Sequence, residues 1–383
     1  MPDNIAYFDN AATTYPKPEC VYQAMDSFNR NCGVSLGRGQ HKMSSKASYI
    51  ADETRQLLLQ LFHCSNKEVA FTNTATEALN VVLNGIDIPS DANVYISPFE
   101  HNAVTRTLHH LQSIRAFNII QLNVKKEDFT YEMTDISSQF NKDKPYCVIV
   151  SHASNVIGAI APIKDIFSLA KKYDAVTVAD MCQTAGLIDT DISSNIYDYI
   201  IFAGHKTLYG PLGVSGFIGR NLSVLSPIIY GGTGIESANQ DMPMTSPERF
   251  EAGSHNTAAI AGLNASLKWI LDTGIDSIIK KEHQNYSKLC TILEKYENIK
   301  CFKPLNSVGV VSCLFDGYSS DEIGQVLSEH NIAFRSGLHC APYAHKFIGT
   351  FPAGTVRFSV SYFNTENDFE KIGEILQYIS DNS

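Results

Sequence analysis

Short runs of consecutive apolar residues alternate along the first two thirds of this chain with longer stretches in which apolar residues recur every three or four positions. The runs at 69–72, 93–97, 146–151, 175–180 and 199–203 fit strands buried on both faces, and the periodic stretches fit amphipathic helices. Helices are expected up to about residue 30, over about 44–62, after 103, and over 163–173. Such alternation of strand and helix predicts an α/β fold with a mostly parallel, doubly wound sheet. Beyond a loop-rich run at 227–257 the pattern changes. Two long helices, about 257–274 and 276–295, lead to strands near 308–314 and 355–360 and helices near 320–330 and 366–380, a small α+β unit. Residues 5–15 are too short and too rich in small side chains for a helix, and Pro16 and Pro18 close them off as an extended arm. The expected division is therefore an arm, 1–15, packing with the small domain and the active site; a large domain, 16–260; and a small C-terminal domain, 261–383, that includes the interdomain helix.

With 383 residues, 44% of them hydrophobic, the chain can bury a core larger than one typical domain needs. No apolar run approaches the ~20 residues of a membrane span, and the N-terminal residues lack a basic segment followed by an apolar one. A soluble, cytoplasmic protein is the expectation. Lys and Arg total 30 against 40 Asp and Glu, a net charge of -10, which disfavours nucleic-acid and anionic-membrane partners. The nine cysteines form no CxxC pair, so neither a disulfide framework nor a metal site is expected, and most should be small core residues in a reducing compartment.

The ends of the predicted strands carry the chemistry. The run 199–203 stops at Gly204 and delivers His205 and Lys206 into a loop. A lysine at a buried strand end can lose its charge by desolvation, as a Schiff-base amine must, although a solvated lysine would fit the same pattern. Thr76 stands in a hydroxyl-rich segment opening a helix, which suits a phosphate and equally suits an ordinary cap. His101 follows the strand at 93–97, and Asp180 ends the strand at 175–180 with Gln183 three residues on. Together these supply a phosphate site, a ring to stack, a carboxylate for a pyridinium nitrogen and an amine for an aldehyde, the set that pyridoxal phosphate requires. Arg38 and His41, in the glycine-rich loop 31–42, read as either solvated or functional.

At this point YFDNAATT, NTATEALN, EHNA, SHASNVIG, DMCQ, GHKTLYGP, RFEAGSHNT, RSGLHCAP and VRFSVSYFN, in that order, make the chain resemble the class V aminotransferase family of fold-type I enzymes across nearly its full length. Within the family it is similar to the cysteine desulfurases and selenocysteine lyases. The resemblance implies a large domain with a seven-stranded, mostly parallel sheet. It implies that Lys206 holds pyridoxal 5'-phosphate as an aldimine, that Asp180 pairs with the ring nitrogen, that Gln183 bonds the ring hydroxyl oxygen and that His101 stacks on the ring. Thr76 and His205 would hold the phosphate, with Ser254 reaching it from the other subunit of a homodimer. Asn155 and Arg357 would bind the substrate carboxylate, Arg357 as a bidentate fork, and Arg38 would lie near the partner's site. Cys340, on a loop after Gly337, Leu338 and His339, matches the family's nucleophile, with His339 or Arg335 expected to favour its thiolate.

The implied reaction converts L-cysteine to L-alanine and leaves a persulfide on Cys340 for an acceptor protein, since Cys340 lies only 17 residues before Arg357 and no long flexible loop follows it. Alternatives in the same fold are a selenocysteine lyase, or another aminotransferase or eliminating lyase. Ala203 and Ala75 depart from the family, which often has hydroxyls there, and weaker phosphate anchoring is the expected consequence.

Overall fold

The computed structural model of the chain describes residues 5–37, 39 and 41–381. Its largest element is a seven-stranded sheet in the spatial order Glu68–Thr72, Ser215–Gly219, Tyr199–Ala203, Val176–Asp180, Pro145–Ser151, Asn93–Ile96 and Asn118–Gln121. Six of the strands run the same way, and Ser215–Gly219 alone is antiparallel to its neighbours. All five residues of Tyr199–Ala203 and of Ser215–Gly219 are buried, as strands with helices on both faces require. The C-terminal ends of the parallel strands thus open on one edge, the place where an open α/β sheet receives a ligand.

Three helices matter most for that edge. Ala75–Gly85 and Asn102–Ile114 begin at it, and Thr257–Thr273 packs against Glu19–Asn31 and Lys42–Leu61. Thr257–Thr273 runs unbroken through residue 260, where the sequence pattern placed a division. The 163–173 stretch is an α-helix only over Ile163–Ala170 and tightens into a 3₁₀ turn at Lys171–Tyr173.

A second, antiparallel sheet of four strands has the order Arg335–Gly337, Thr355–Ser359, Val310–Phe315 and Ile299–Phe302. Helices Ile275–Leu293, Ser320–Glu329 and Glu366–Asp381 cover it, and their core includes Phe8 of the N-terminal arm. The arm is a structural tie. Ala6–Tyr7 pairs in parallel with Ile332–Ala333, Asn10 donates to the Ser359 carbonyl at 2.9 Å, and Thr14 N donates to the His205 carbonyl at 3.1 Å. It therefore pins the small sheet to the loop that carries Lys206. No helix among the described residues is long and apolar enough to cross a membrane.

Candidate active site

A cavity of about 280 Å³ opens at the C-terminal edge of the large sheet, and Thr76, His101, Asn155, Asp180, Gln183, His205, Lys206 and Arg357 all line it. The groups come from separate segments because each parallel strand hands its next residues to the same edge. At the end of Tyr199–Ala203 the chain turns at Gly204, where a Cβ would sit 2.5 Å from the Val214 carbonyl oxygen, so only glycine fits. The loop that follows is held from the arm. The His205 carbonyl accepts from Lys17 Nζ at 2.6 Å, Thr13 Oγ1 at 3.0 Å and Thr14 N at 3.1 Å.

At the start of Ala75–Gly85, Thr74 is the cap and accepts from Glu77 N at 3.1 Å. Thr76 is therefore released from capping and lines the cavity beside first-turn N–H groups that have no partner within the helix. His101 caps Asn102–Ile114 by accepting from Ala103 N at Nδ1, 3.0 Å away. That bond places the ring proton on Nε2. Burial, and next the Lys206 charge, lower the His101 pKa to about 4. Asp180 ends its strand with Oδ1 accepting from Cys182 N at 2.9 Å, and Gln183 donates to the Ala11 carbonyl at 2.9 Å. His205 is brought to about 3, first by burial and then by the charges of Lys206 and Lys17, and its Nδ1 is buried without a partner.

Arg357 is 1% exposed. In place of an open fork, its Nη1 donates to the Asn155 carbonyl at 2.8 Å and its Nη2 pairs with Asp9 at 2.7 Å, leaving Nε buried and unpartnered. A guanidinium buried this far needs a resident anion, and the arm supplies it. The Asn155 side-chain amide donates to the His339 carbonyl at 2.7 Å and so touches the loop before Cys340.

Cys340 sits on a tight turn in which both His339 and Cys340 have positive φ, 47° and 56°. Left-handed residues in sequence are costly for non-glycine side chains and persist where surrounding contacts fix them. Here the Cys340 carbonyl accepts from Asn102 N at 2.7 Å. The half-buried thiol lines a second opening of about 370 Å³, together with Thr76, His101 and Ala103, which also line the main cavity. It stands at the mouth of the Lys206 site. Arg335 Nη2 reaches the Cys340 sulfur at 3.9 Å. The other expected influence on the thiol, His339, is corrected by the structure: its ring is buried, its Nε2 meets Thr355 Oγ1 at 3.0 Å, and burial followed by the Arg357 charge drives its pKa far down, so it offers Cys340 no positive charge.

Ser254 is not brought to this cavity within its own chain; it lines a separate groove of about 230 Å³ with Arg55 and Glu251. Arg38 lies outside the described residues. Ala75 and Ala203 both line the cavity. Residues that sequence reasoning missed are Asp9, Lys17 and Glu100. Glu100 is fully buried, accepts from Ser97 Oγ, Ser151 N and Ser151 Oγ, and is pushed up to about 7 by burial. Lys17 is brought down to about 7 by burial. Its only sequence signal was a lysine placed between the two prolines that close the arm.

These buried groups set a pH dependence of stability. His101, His152 and His345 lie at about 4 and His205 at about 3, each lowered chiefly by burial, with His339 lower still. As pH falls below the ordinary 6.5, the unfolded chain takes up protons at these positions and the folded chain does not, so stability falls with pH between 6.5 and about 4. Glu100 and Glu282, raised by burial to about 7 and about 8, oppose this by keeping protons in the folded chain. The histidines outnumber them, leaving roughly two to three excess protons on the unfolded chain, on the order of 3 kcal/mol per pH unit. Guanidinium unfolding of the unliganded protein should show a lower midpoint at pH 5.5 than at pH 6.5; an equal or higher midpoint would contradict this balance.

The sequence profile of the class-V aminotransferase family matches residues 6–372. A probable cysteine desulfurase of Pyrococcus abyssi is 29% identical over 387 residues, covering 98% of this chain and 94% of that protein. A probable cysteine desulfurase of Haemophilus influenzae is 30% identical over 377 residues, 96% of this chain and 84% of that protein. Among solved structures, the apo cysteine desulfurase of Thermococcus onnurineus NA1 superimposes with a TM-score of 0.90 at 26% identity, covering 99% of this chain and 95% of that one.

Proposed function

Since the chain belongs to the class-V aminotransferase family, we propose that it is a pyridoxal-phosphate-dependent cysteine desulfurase that converts L-cysteine to L-alanine and carries the sulfur on Cys340. The observation that supports this most is the meeting of Lys206, Asp180 and His101 in one cavity with Cys340 at its mouth.

The residues present fit the cofactor. The unpartnered His205 Nδ1 and the first turn of Ala75–Gly85 suit a phosphate, the Asp180 carboxylate suits a pyridinium nitrogen, Gln183 a ring hydroxyl, and Lys206 an aldehyde. When bound, pyridoxal phosphate supplies an electron sink for the substrate's Cα and Cβ. The chain's own side chains do the rest. Arg357, exchanging its Asp9 partner for the substrate carboxylate, and Asn155 hold that carboxylate and so aim its Cα at Lys206. Lys206 Nζ, as the free amine, removes the Cα proton and returns it. His101, held neutral, keeps an Nε2–H available beside it. The Cys340 thiolate, with Arg335 beside it, attacks the substrate sulfur; the S–S bond forms, the Cβ–S bond breaks, and its electron pair stays with the carbon fragment that leaves as alanine. The test is release of alanine from L-cysteine with no keto acid present; a requirement for a keto acid would instead identify a transaminase. No feature of the site favours selenocysteine over cysteine.

Arg357→Lys should raise KM for L-cysteine by roughly 10- to 100-fold, the worth of a charged hydrogen bond, with a smaller change in kcat. An unchanged KM would remove Arg357 from carboxylate binding.

We also infer a homodimer in which the Ser254 loop completes the partner's phosphate site. The segment leading to it exposes large apolar side chains, Tyr230 at 72% and Met244 at 65%, as an interface would. Sedimentation should give twice the chain mass, and full activity at the mass of one chain would overturn the inference. The persulfide is handed to an acceptor protein, because the Cys340 turn is short and fixed at both His339 and Cys340; efficient turnover with small thiols alone would contradict that.

A further inference from the structure

Glu251 stands three residues before Ser254 and is held from two sides. Its Oε1 accepts from the backbone N–H of Phe71 at 2.8 Å, and its Oε2 pairs with Arg55 Nη2 at 2.7 Å. Phe71 belongs to Glu68–Thr72, the outermost strand of the large sheet, whose other side is paired with Ser215–Gly219. The free edge of a strand leaves N–H groups that need an acceptor, and the carboxylate takes one of them. Arg55, on Lys42–Leu61, lies over the Phe71 ring with Cζ 4.8 Å from its centroid, and its Nη1 donates to Asp52 at 2.7 Å. The Glu251 and Arg55 side chains are only 8% and 15% exposed, so either charge would be stranded without the other.

A helix, an edge strand and the loop that carries Ser254 thus meet at one carboxylate. Five residues beyond Phe71 the same chain reaches Thr76 of the Lys206 cavity. The Ser254 loop has a second anchor at its far end, where Asn256 caps Thr257–Thr273 by accepting from Ala259 N at 3.1 Å. Ser254 itself is exposed between these two fixed points. We propose that Glu251, through its bonds to Arg55 and the Phe71 N–H, is the positioning residue that presents Ser254 to the cofactor phosphate of the partner subunit. The proposal rests on the homodimer inferred above. Glu251 touches no reacting atom and acts only through Ser254. A hydroxyl contributes to a phosphate site only while its oxygen stands within hydrogen-bond reach, and a displacement of ~1 Å forfeits the bond. Without the clamp the loop keeps its Asn256 anchor alone, and the Ser254 hydroxyl loses its fixed place.

The test is titration of the cofactor-free protein with pyridoxal 5'-phosphate and with phosphate-free pyridoxal, each followed by the visible absorbance of the lysine-bound aldehyde. Ser254→Ala should raise Kd for pyridoxal phosphate about 10-fold, the worth of a charged hydrogen bond, and leave Kd for pyridoxal unchanged. Glu251→Gln keeps an oxygen for the Phe71 N–H but turns an amide donor toward Arg55, and it should give the same pattern. Arg55→Gln should repeat that pattern from the other side of the pair. The double variant Glu251→Gln, Ser254→Ala should bind no more weakly than Ser254→Ala alone, since both changes act through one hydroxyl. Equal weakening of pyridoxal, or additive losses in the double variant, would mark a general loss of structure and overturn the proposal. An effect of Ser254→Ala with none from Glu251→Gln or Arg55→Gln would overturn it while leaving the shared phosphate site intact. No effect of Ser254→Ala would overturn the shared phosphate site and the proposal with it.

Discussion

Lys206→Ala is expected to lose the visible absorbance of a lysine-bound cofactor and to lower turnover by on the order of 10³-fold or more, since one amine both holds the cofactor and moves the Cα proton. The placement of that amine is what makes the loss so large. Gly204 lets the loop approach Val214, and the His205 carbonyl is fixed by Lys17, Thr13 and Thr14, so the backbone that carries Lys206 is held in place. Lys206→Arg should fare no better, because a guanidinium does not become a free base near neutral pH. Absorbance spectra and steady-state alanine release measure both variants. A variant that kept the parent absorbance and rate would exclude Lys206 as the cofactor-holding amine.

Cys340→Ala is expected to separate the two halves of the chemistry. The thiol lies at the mouth of the cavity, outside the group of side chains suited to the cofactor, so its removal should leave the absorbance intact. Sulfur transfer, in contrast, should fall by about 10³-fold or more, as for loss of a nucleophile that acts as part of a unit. Alanine release and persulfide formation should fall together. A Cys340→Ala protein that released alanine from L-cysteine at the parent rate would exclude the thiol from breaking the Cβ–S bond.

The strands that position the site were legible because they are buried on both faces and read as unbroken apolar runs: 199–203 is the same in sequence and structure, and 69–72 and 175–180 differ from the observed strands by one residue. The strands that were missed do not read as unbroken apolar runs: Ser215–Gly219 is buried throughout but carries Ser215, Gly216 and Gly219 among its five residues. Asn118–Gln121 is a partly exposed edge strand, and Arg335–Gly337 has three residues, none of them buried. Thr76, His101, Asp180 and Lys206 could be found because each follows or ends a strand. Asp9 could not, since its significance comes from Arg357, 348 residues away. Nor does sequence show how His339 turns: adjacency to Cys340 suggested an electrostatic partner, but the positive-φ turn sends the ring into the core beside Thr355 and leaves Arg335 as the group near the sulfur.

In the proposed reaction, sulfur from the substrate comes to rest on Cys340. A single turnover of the cofactor-loaded protein with L-cysteine and no reductant, followed by intact and peptide mass analysis, tests it directly. The expected result is a gain of one sulfur on the peptide that contains Cys340, with one alanine released per persulfide. Alanine released with no sulfur on that peptide would contradict it.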